Sequence, residues 1–223
     1  TEWIKYNAKP RNLENGKTQQ RINKMLAKQL DDNEVIKKKI EKYSKISDTK
    51  LIIFDLGNVM IDINMEATIK AFNALGIQDV EKYVTQSHSV GGFFTDFEQG
   101  LISPEEFCNH VRQMSGVQVS NDDIRNAWNA MIGDFPYENI LLIEQLRKKH
   151  EVVLLSNTNQ IHLEYFDGLA NGYDSLSQLF DKVWYSHQMH MSKPNRNIYE
   201  TVLTSHGYKA EEAVFFDDNQ SNI

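Results

Sequence analysis

Residues 51–57 read LIIFDLG, and the stretch runs on through NVMIDIN to Asn64. Four consecutive apolar residues, β-branched and aromatic among them, form the pattern of a strand buried on both faces, as in a parallel sheet. An acid follows at once. Ligands of open parallel sheets bind in the crevice beyond the carboxyl ends of the strands, so Asp55 is placed to face such a crevice. Taken singly, a strand-ending acid that caps a turn or a helix is a sufficient explanation. The other strand ends decide between the two.

Three more short apolar runs read as strands: Val152–Leu155, Val183–Tyr185 and Ala213–Phe216. Helical periodicity lies between them, over Glu138–Lys149 and Ile198–His206. Strands alternating with helices predict a doubly wound, Rossmann-like α/β fold with a parallel sheet. From Met65 to about Phe135 the pattern is helical throughout: Ile69, Phe72 and Leu75 closed by Gly76, a start signal at Ser103-Pro104-Glu105-Glu106, and a further helix over Asp122–Met131. The expected organisation is an α/β core of residues 51–64 and 136–223, with an all-helical insertion over 65–135. Ahead of it, residues 1–50 show helical spacing at Ile22, Met25, Leu26 and Leu30, then at Ile36, Ile40 and Tyr43, which predicts an arm of two short helices.

Charge separates along the same boundary. Residues 1–50 carry 13 Lys+Arg against 7 Asp+Glu, net +6, whereas residues 51–223 carry 11 against 24, net −13. An acidic body argues against nucleic acid as a partner of the core. The basic arm is expected to pack on its own acidic domain or stay solvated, with homodimerisation or partner docking as its further uses. Cys108 is the single cysteine, so no internal disulfide forms and a reducing, cytoplasmic setting fits. Apolar runs such as LIIF and VVLL are far too short to span a bilayer, and TEWIKYNAKPR lacks the apolar stretch of a signal peptide.

Polar residues stand at or just beyond every predicted strand end. After the first comes Asp55; after the second, Ser156 and Asn157; near the third, Lys193-Pro194; after the fourth, Asp217 and Asp218. Turn and cap preferences account for each alone. Together they converge on one crevice with a nucleophilic acid, a hydroxyl and amide pair, a cation and an acid pair, the parts that phosphoryl transfer requires.

In order, the segments FDLGNV, LSNTN, KP and VFFDDNQSN resemble the four motifs of the haloacid dehalogenase (HAD) superfamily of phosphatases, over Leu51 to the end of the chain. More narrowly, FDLGNVMIDIN, FEQGLIS, LLSNTNQIH, SKPNRNIY and VFFDDNQSNI resemble the subgroup of bacterial α-D-glucose-1-phosphate phosphatases. The resemblance implies a Mg²⁺-dependent phosphatase of a small phosphorylated metabolite, a sugar phosphate foremost. Asp55 would attack phosphorus to form an aspartyl-phosphate. Asp55, the Gly57 carbonyl and Asp218 would hold Mg²⁺, with Asp217 assisting, while Ser156, Asn157 and Lys193 would bind the phosphate. The insertion over 65–135 corresponds to the substrate-selecting cap.

One departure matters. Most phosphatases of the superfamily place a second Asp two residues after the nucleophile as acid and base; here that position is Gly57. Three outcomes are open: a slow enzyme, a substrate with a good leaving group, or a proton donor elsewhere, such as Asp62 or a cap side chain. A catalytically weakened phosphate-binding or regulatory protein is the alternative function, and a metal-free dehalogenase a third, disfavoured by the Asp217-Asp218 pair. Among Phe93, Phe94 and Trp128, which could face a sugar, at least two are expected to be plain core. His187 and His190 lack the further ligands of a zinc site and read as loop residues near Lys193. DDNQSN lacks the glycine and closing glutamate of a calcium loop. The chain begins without Met and stops where the family continues into a helix, a strand and a terminal helix, so the gene product is expected to be longer.

Overall fold

The computed structural model describes residues 49–81 and 92–223. The predicted arm therefore lies outside the described residues, apart from its last two positions. Four strands, β1 (Leu51–Phe54), β2 (Glu151–Ser156), β3 (Lys182–Tyr185) and β4 (Ala213–Phe216), form a parallel sheet in the order β3-β2-β1-β4. Every residue of β1 is buried, as expected for a central strand covered on both faces. Its two-residue period splits the core. Ile52 and Phe54 join the larger apolar cluster on one face, and Leu51 and Ile53 join Val153, Leu155, Ile198 and Val202 on the other. Phe54 stacks on Phe216 across the β1–β4 pair at 5.2 Å between ring centroids.

Strand register places the acids. Phe54 is level with Leu154 and with Phe216, so Asp55 and Asp217 emerge side by side one step beyond the sheet. The chain builds outward from β1 to β2 and β3 and then crosses back to place β4 on the opposite side of β1. Strand order reverses between β1 and β4, the switch point at which α/β sheets open a ligand crevice.

Helices α1 (Met65–Ala74), α2 (Phe93–Glu98), α3 (Pro104–Ser115) and α4 (Asn121–Asn129) lie between β1 and β2. Local chemistry fixes their ends. Asn64 caps α1 by accepting from the Ala67 N–H. Ser103 and Glu106 close a capping box on α3, which has Pro104 in its first turn and a left-handed Gly116 at its end. A second box, Ser120 with Asp123, starts α4 at Asn121, one residue before the sequence reading. Thr68 Oγ1 donates to the Trp128 carbonyl at 3.1 Å and ties α1 to α4.

The insertion leaves and rejoins the core through a narrow neck. Ile63 and Ile132 form an antiparallel bridge, flanked by Asn64 N–H to Met131 O at 2.8 Å and Gly133 N–H to Asp62 O at 2.9 Å. A Cβ on Gly133 would lie 2.9 Å from the Asp62 carbonyl oxygen, which explains the glycine.

Helix α5 (Tyr137–Leu146) precedes β2 and ends three residues earlier than its periodicity predicts. Next come α6 (Gln160–Phe166), α7 (Leu176–Leu179), α8 (Ser186–Met189) and α9 (Arg196–His206), the last closed by a left-handed Gly207. Ser156 is the last residue of β2 rather than the first beyond it, because its pairing with Tyr185 extends the strand. Among the described residues, no helix is long and apolar enough to cross a membrane.

Candidate active site

The strand ends open onto a cavity of about 430 Å³. All seven residues singled out by sequence line it: Asp55, Gly57, Ser156, Asn157, Lys193, Asp217 and Asp218. The Lys193 ammonium, on a side chain only 1% exposed, donates to Asp55 Oδ1 at 2.7 Å, to Asp217 Oδ2 at 2.6 Å and to the Leu155 carbonyl at 3.2 Å. A buried ammonium needs this full set of acceptors, since each unmade bond would leave charge in low dielectric. Its backbone is fixed as well. Lys193 N–H donates to Asn157 Oδ1 and Asn157 Nδ2 donates to Lys193 O, at 2.9 and 3.0 Å. The Asn157 side chain is thus a clamp on the lysine segment.

The two acids after β4 differ sharply. Asp217 is wholly enclosed and accepts from Lys193, from the Asn222 amide through both of its oxygens at 2.9 and 3.0 Å, and from the Asn219 N–H. Asp218 is exposed, and Oδ2 accepts from Asn58 Nδ2 at 2.9 Å. Oxygens of Asp55, Asp217 and Asp218 lie within 4.8 Å of one another. Three carboxylates against one ammonium leave about two negative charges at hard oxygen donors, a set that suits Mg²⁺ in charge and in chemistry. Burial pushes the Asp55 carboxyl up to about 6, and the Lys193 ammonium beside it works in the opposite direction.

Asn58 and Asn222 were not singled out by sequence, although both organise the acids. Asn58 sits in the left-handed region at φ 53°, with Oδ1 accepting from the Ile63 N–H at 3.1 Å and Nδ2 holding Asp218. Asn tolerates that backbone better than other side chains, and an Asn directly after a glycine was the available signal. At Gly57 a Cβ would meet Ile63 Cγ1 at 3.2 Å, so the position has little room for a larger side chain such as an acid.

The facing wall comes from the insertion. Glu98, at the end of α2, lines the cavity with Trp128, Met131 and Ile132. Asp62 is exposed and outside that lining. Trp128 is 5% exposed, and its ring stacks on His162 of α6 with centroids 5.0 Å apart and an interplanar angle of 12°. Phe94 and Trp128 are both buried members of the main core, and Phe93 is half-buried, packing on His110 and Phe107, so two of the three aromatics are core although Trp128 also lines the cavity.

His187 is a helical residue and not a loop one, whereas His190 is the turn residue that follows the helix, three positions before Lys193. His187 is buried in α8 against Tyr185, and burial lowers its pKa; His190 closes α8 in the left-handed region. The SHQMH segment grips the insertion. Ser186 Oγ lies 2.6 Å from the Glu98 carbonyl and 2.9 Å from the Thr158 carbonyl, and accepts from the Thr158 N–H. His190 Nδ1 meets the Gln99 carbonyl at 2.9 Å, and Gln99 Nε2 donates to Ser192 Oγ at 3.1 Å. Gly100, at φ 65°, approaches so closely that a Cβ there would sit 2.1 Å from the His187 carbonyl oxygen.

Comparison with known proteins agrees with this geometry. Residues 49–223 match the haloacid dehalogenase-like hydrolase family. A D-ribitol-5-phosphate phosphatase of Bacteroides thetaiotaomicron is 28% identical over 176 residues, which is 78% of this chain and 85% of that protein. The crystal structure of a HAD family enzyme from the same bacterium, in complex with magnesium and inorganic phosphate, is 35% identical with a TM-score of 0.72, covering 78% of this chain and 87% of that one. A predicted HAD-like hydrolase from Porphyromonas gingivalis is 33% identical with the same TM-score, covering 78% and 84%. With most of its length matched and its acids, lysine and hydroxyl brought to one crevice beyond the strand ends, the chain belongs to the haloacid dehalogenase-like hydrolases.

Proposed function

We propose that this hydrolase is a Mg²⁺-dependent phosphomonoesterase acting on a small phosphorylated sugar or sugar alcohol through an aspartyl-phosphate at Asp55. The observation that carries the reading is the lysine bridge between Asp55 and Asp217 at 2.7 and 2.6 Å, inside a carboxylate cluster at the mouth of a metabolite-sized cavity. A carboxylate approaching a phosphate is repelled by about 4 kcal/mol per charge pair at ~4 Å and an effective dielectric near 20. The cluster must offset that. Asp55, the Gly57 carbonyl and Asp218 would hold Mg²⁺, with Asp217 buttressing through Lys193; bound there, the ion neutralises phosphate charge and orients the group for in-line attack.

An Asp55 oxygen forms a bond to phosphorus as the ester oxygen leaves; water then attacks the acyl phosphate, releasing inorganic phosphate and the free carboxylate. Lys193 keeps Asp55 ionised and oriented. The Ser156 hydroxyl and the Asn157 backbone N–H serve the phosphate oxygens, since the Asn157 side chain is committed to Lys193. With Gly57 unable to act and Asp62 outside the cavity, Glu98, which lines it, is the residue we assign to protonate the leaving alkoxide. Residues 65–135 act as the substrate-selecting cap.

The test is phosphate release over sugar phosphates, polyol phosphates, nucleotides and flavin mononucleotide, with Asp55→Asn and a chelator as controls. Turnover that vanishes in both supports the reading. Turnover equal in wild type and Asp55→Asn overturns it. Tight phosphate binding without turnover would favour the second reading, a phosphate-binding or regulatory protein, for which Gly57 is the motivating residue.

A further inference from the structure

We propose that His162, presented by the core helix α6 and stacked under Trp128 of α4, is the specificity residue that reads a hydroxyl of the substrate's carbon chain as a fixed neutral acceptor. The inference rests on the phosphatase reading above and names a feature of its substrate: a polyhydroxy chain on the phosphate.

The argument starts from hydrogen-bond inventory. His162 Nδ1 lies 2.9 Å from Asn129 Oδ1. An amide oxygen can only accept, so Nδ1 carries the proton, and in a neutral imidazole Nε2 is then a bare acceptor. Burial holds the ring far below its ordinary pKa, at about 3, so no imidazolium forms at neutral pH. The same fact removes His162 as a proton donor to the leaving group. Its role is recognition.

His162 is 9% exposed and lines the cavity, and Nε2 has no hydrogen-bond partner among the described residues. Trp128 lines the same wall, and its indole Nε1–H is buried without a partner. An acceptor left unmade on a cavity-lining ring, among Met131, Ile132 and Phe166, is what a buried site shows when its missing partner is a ligand. The acceptor dictates the ligand's chemistry. A hydroxyl donates to Nε2. A carboxylate at that point would meet a lone pair with a lone pair.

The fixed tautomer depends on both halves of the molecule. Asn129 and Trp128 belong to the insertion, His162 to the core. Docking of α4 against α6 therefore completes the acceptor, and the chain-reading contact exists when the two walls meet.

The experiment compares kcat/KM for D-ribitol 5-phosphate with kcat/KM for p-nitrophenyl phosphate, which has no hydroxyl chain, in wild type, His162→Phe and His162→Gln. The expected result is a polyol-to-nitrophenyl ratio lowered roughly 3- to 10-fold in the Phe variant, the size of one neutral hydrogen bond, and carried by KM. The Gln variant, which keeps an acceptor oxygen, recovers part of the ratio. A ratio unchanged in His162→Phe, with both substrates falling together, means a structural role and overturns the proposal. Equal ratios in Phe and Gln variants overturn it as well. Wild type that hydrolyses p-nitrophenyl phosphate while showing no preference for the polyol defeats this inference and leaves the phosphatase reading standing. Wild type inactive on both defeats the two together.

Discussion

The cavity has two walls of opposite character. The wall built by strand ends is charged, and its centre is buried and saturated while Asp218 at its rim is exposed: Lys193 fills three acceptors, and Asp217 takes bonds from Lys193, Asn219 and Asn222. The wall shared by α4 and α6 is aromatic and apolar, and its indole N–H and imidazole nitrogen have no partners among the described residues. Saturated groups cannot be recruited by a ligand without replacing bonds, so they fix geometry and charge. Unsaturated groups wait for one. On the proposed reading, phosphate chemistry belongs to the first wall and choice of substrate to the second.

If that division holds, damage to the first wall is severe for every substrate. Lys193→Met should lower phosphate release roughly 10²- to 10³-fold on sugar phosphates and p-nitrophenyl phosphate alike, measured on protein shown by circular dichroism to be folded. A loss confined to one substrate class would break the division. Next in size is Glu98→Gln. As the leaving-group donor, Glu98 should matter roughly 10²-fold for alkyl phosphates and far less for p-nitrophenyl phosphate, whose phenolate needs no proton. Equal losses on both would remove Glu98 from that role.

The charged wall also carries a cost that the apolar wall does not. Asp55 titrates near 6 in the folded chain against an ordinary 3.8, so the native state holds its proton where the unfolded chain has released it. Stability therefore falls as pH rises from about 4 through 6, and the penalty is constant above, amounting to about 3 kcal/mol for a shift of this size. Metal-free Asp55→Asn lacks that penalty. Chemical denaturation should find it about 3 kcal/mol more stable than wild type at pH 8, with the gap closing toward pH 4; a gap independent of pH would show that burial of this carboxylate does not set the difference. The smallest effect belongs to the insertion. Ser103→Ala removes the capping box of α3 and should cost about 1 kcal/mol in urea denaturation while leaving phosphate release intact.

The same asymmetry governed what could be read from the chain. β1 and β4 fall where their apolar runs place them, and β1, β2 and β4 deliver their chemistry at or directly after their ends, so most of the charged wall is encoded by short segments, Asp55 after LIIF and Asp217 with Asp218 after AVFF, while Lys193 follows β3 only beyond helix α8. Local patterns suffice there. The other wall is assembled by packing. Nothing near Trp128 in sequence announces His162, which meets it only because α4 lies on α6. For the same reason SHQMH read as a loop beside Lys193, when the segment is a helix whose contacts lie with the end of α2, far away in the chain. Asn58 and Asn222 are intermediate cases: both sit in the conspicuous motifs, but their value lies in the acids they hold, which only the folded arrangement reveals.

The Ser186 hydroxyl has a single hydrogen, yet two carbonyls compete for it, Glu98 on the insertion and Thr158 on the core. Whichever oxygen receives it, the rival goes without, so a rotation about one side-chain bond moves this hydrogen bond from the Glu98 carbonyl to that of Thr158. The move exchanges one acceptor for another instead of sacrificing a bond outright. The neighbouring contacts of the same seam, His190 and Ser192 with Gln99, keep their partners through that exchange.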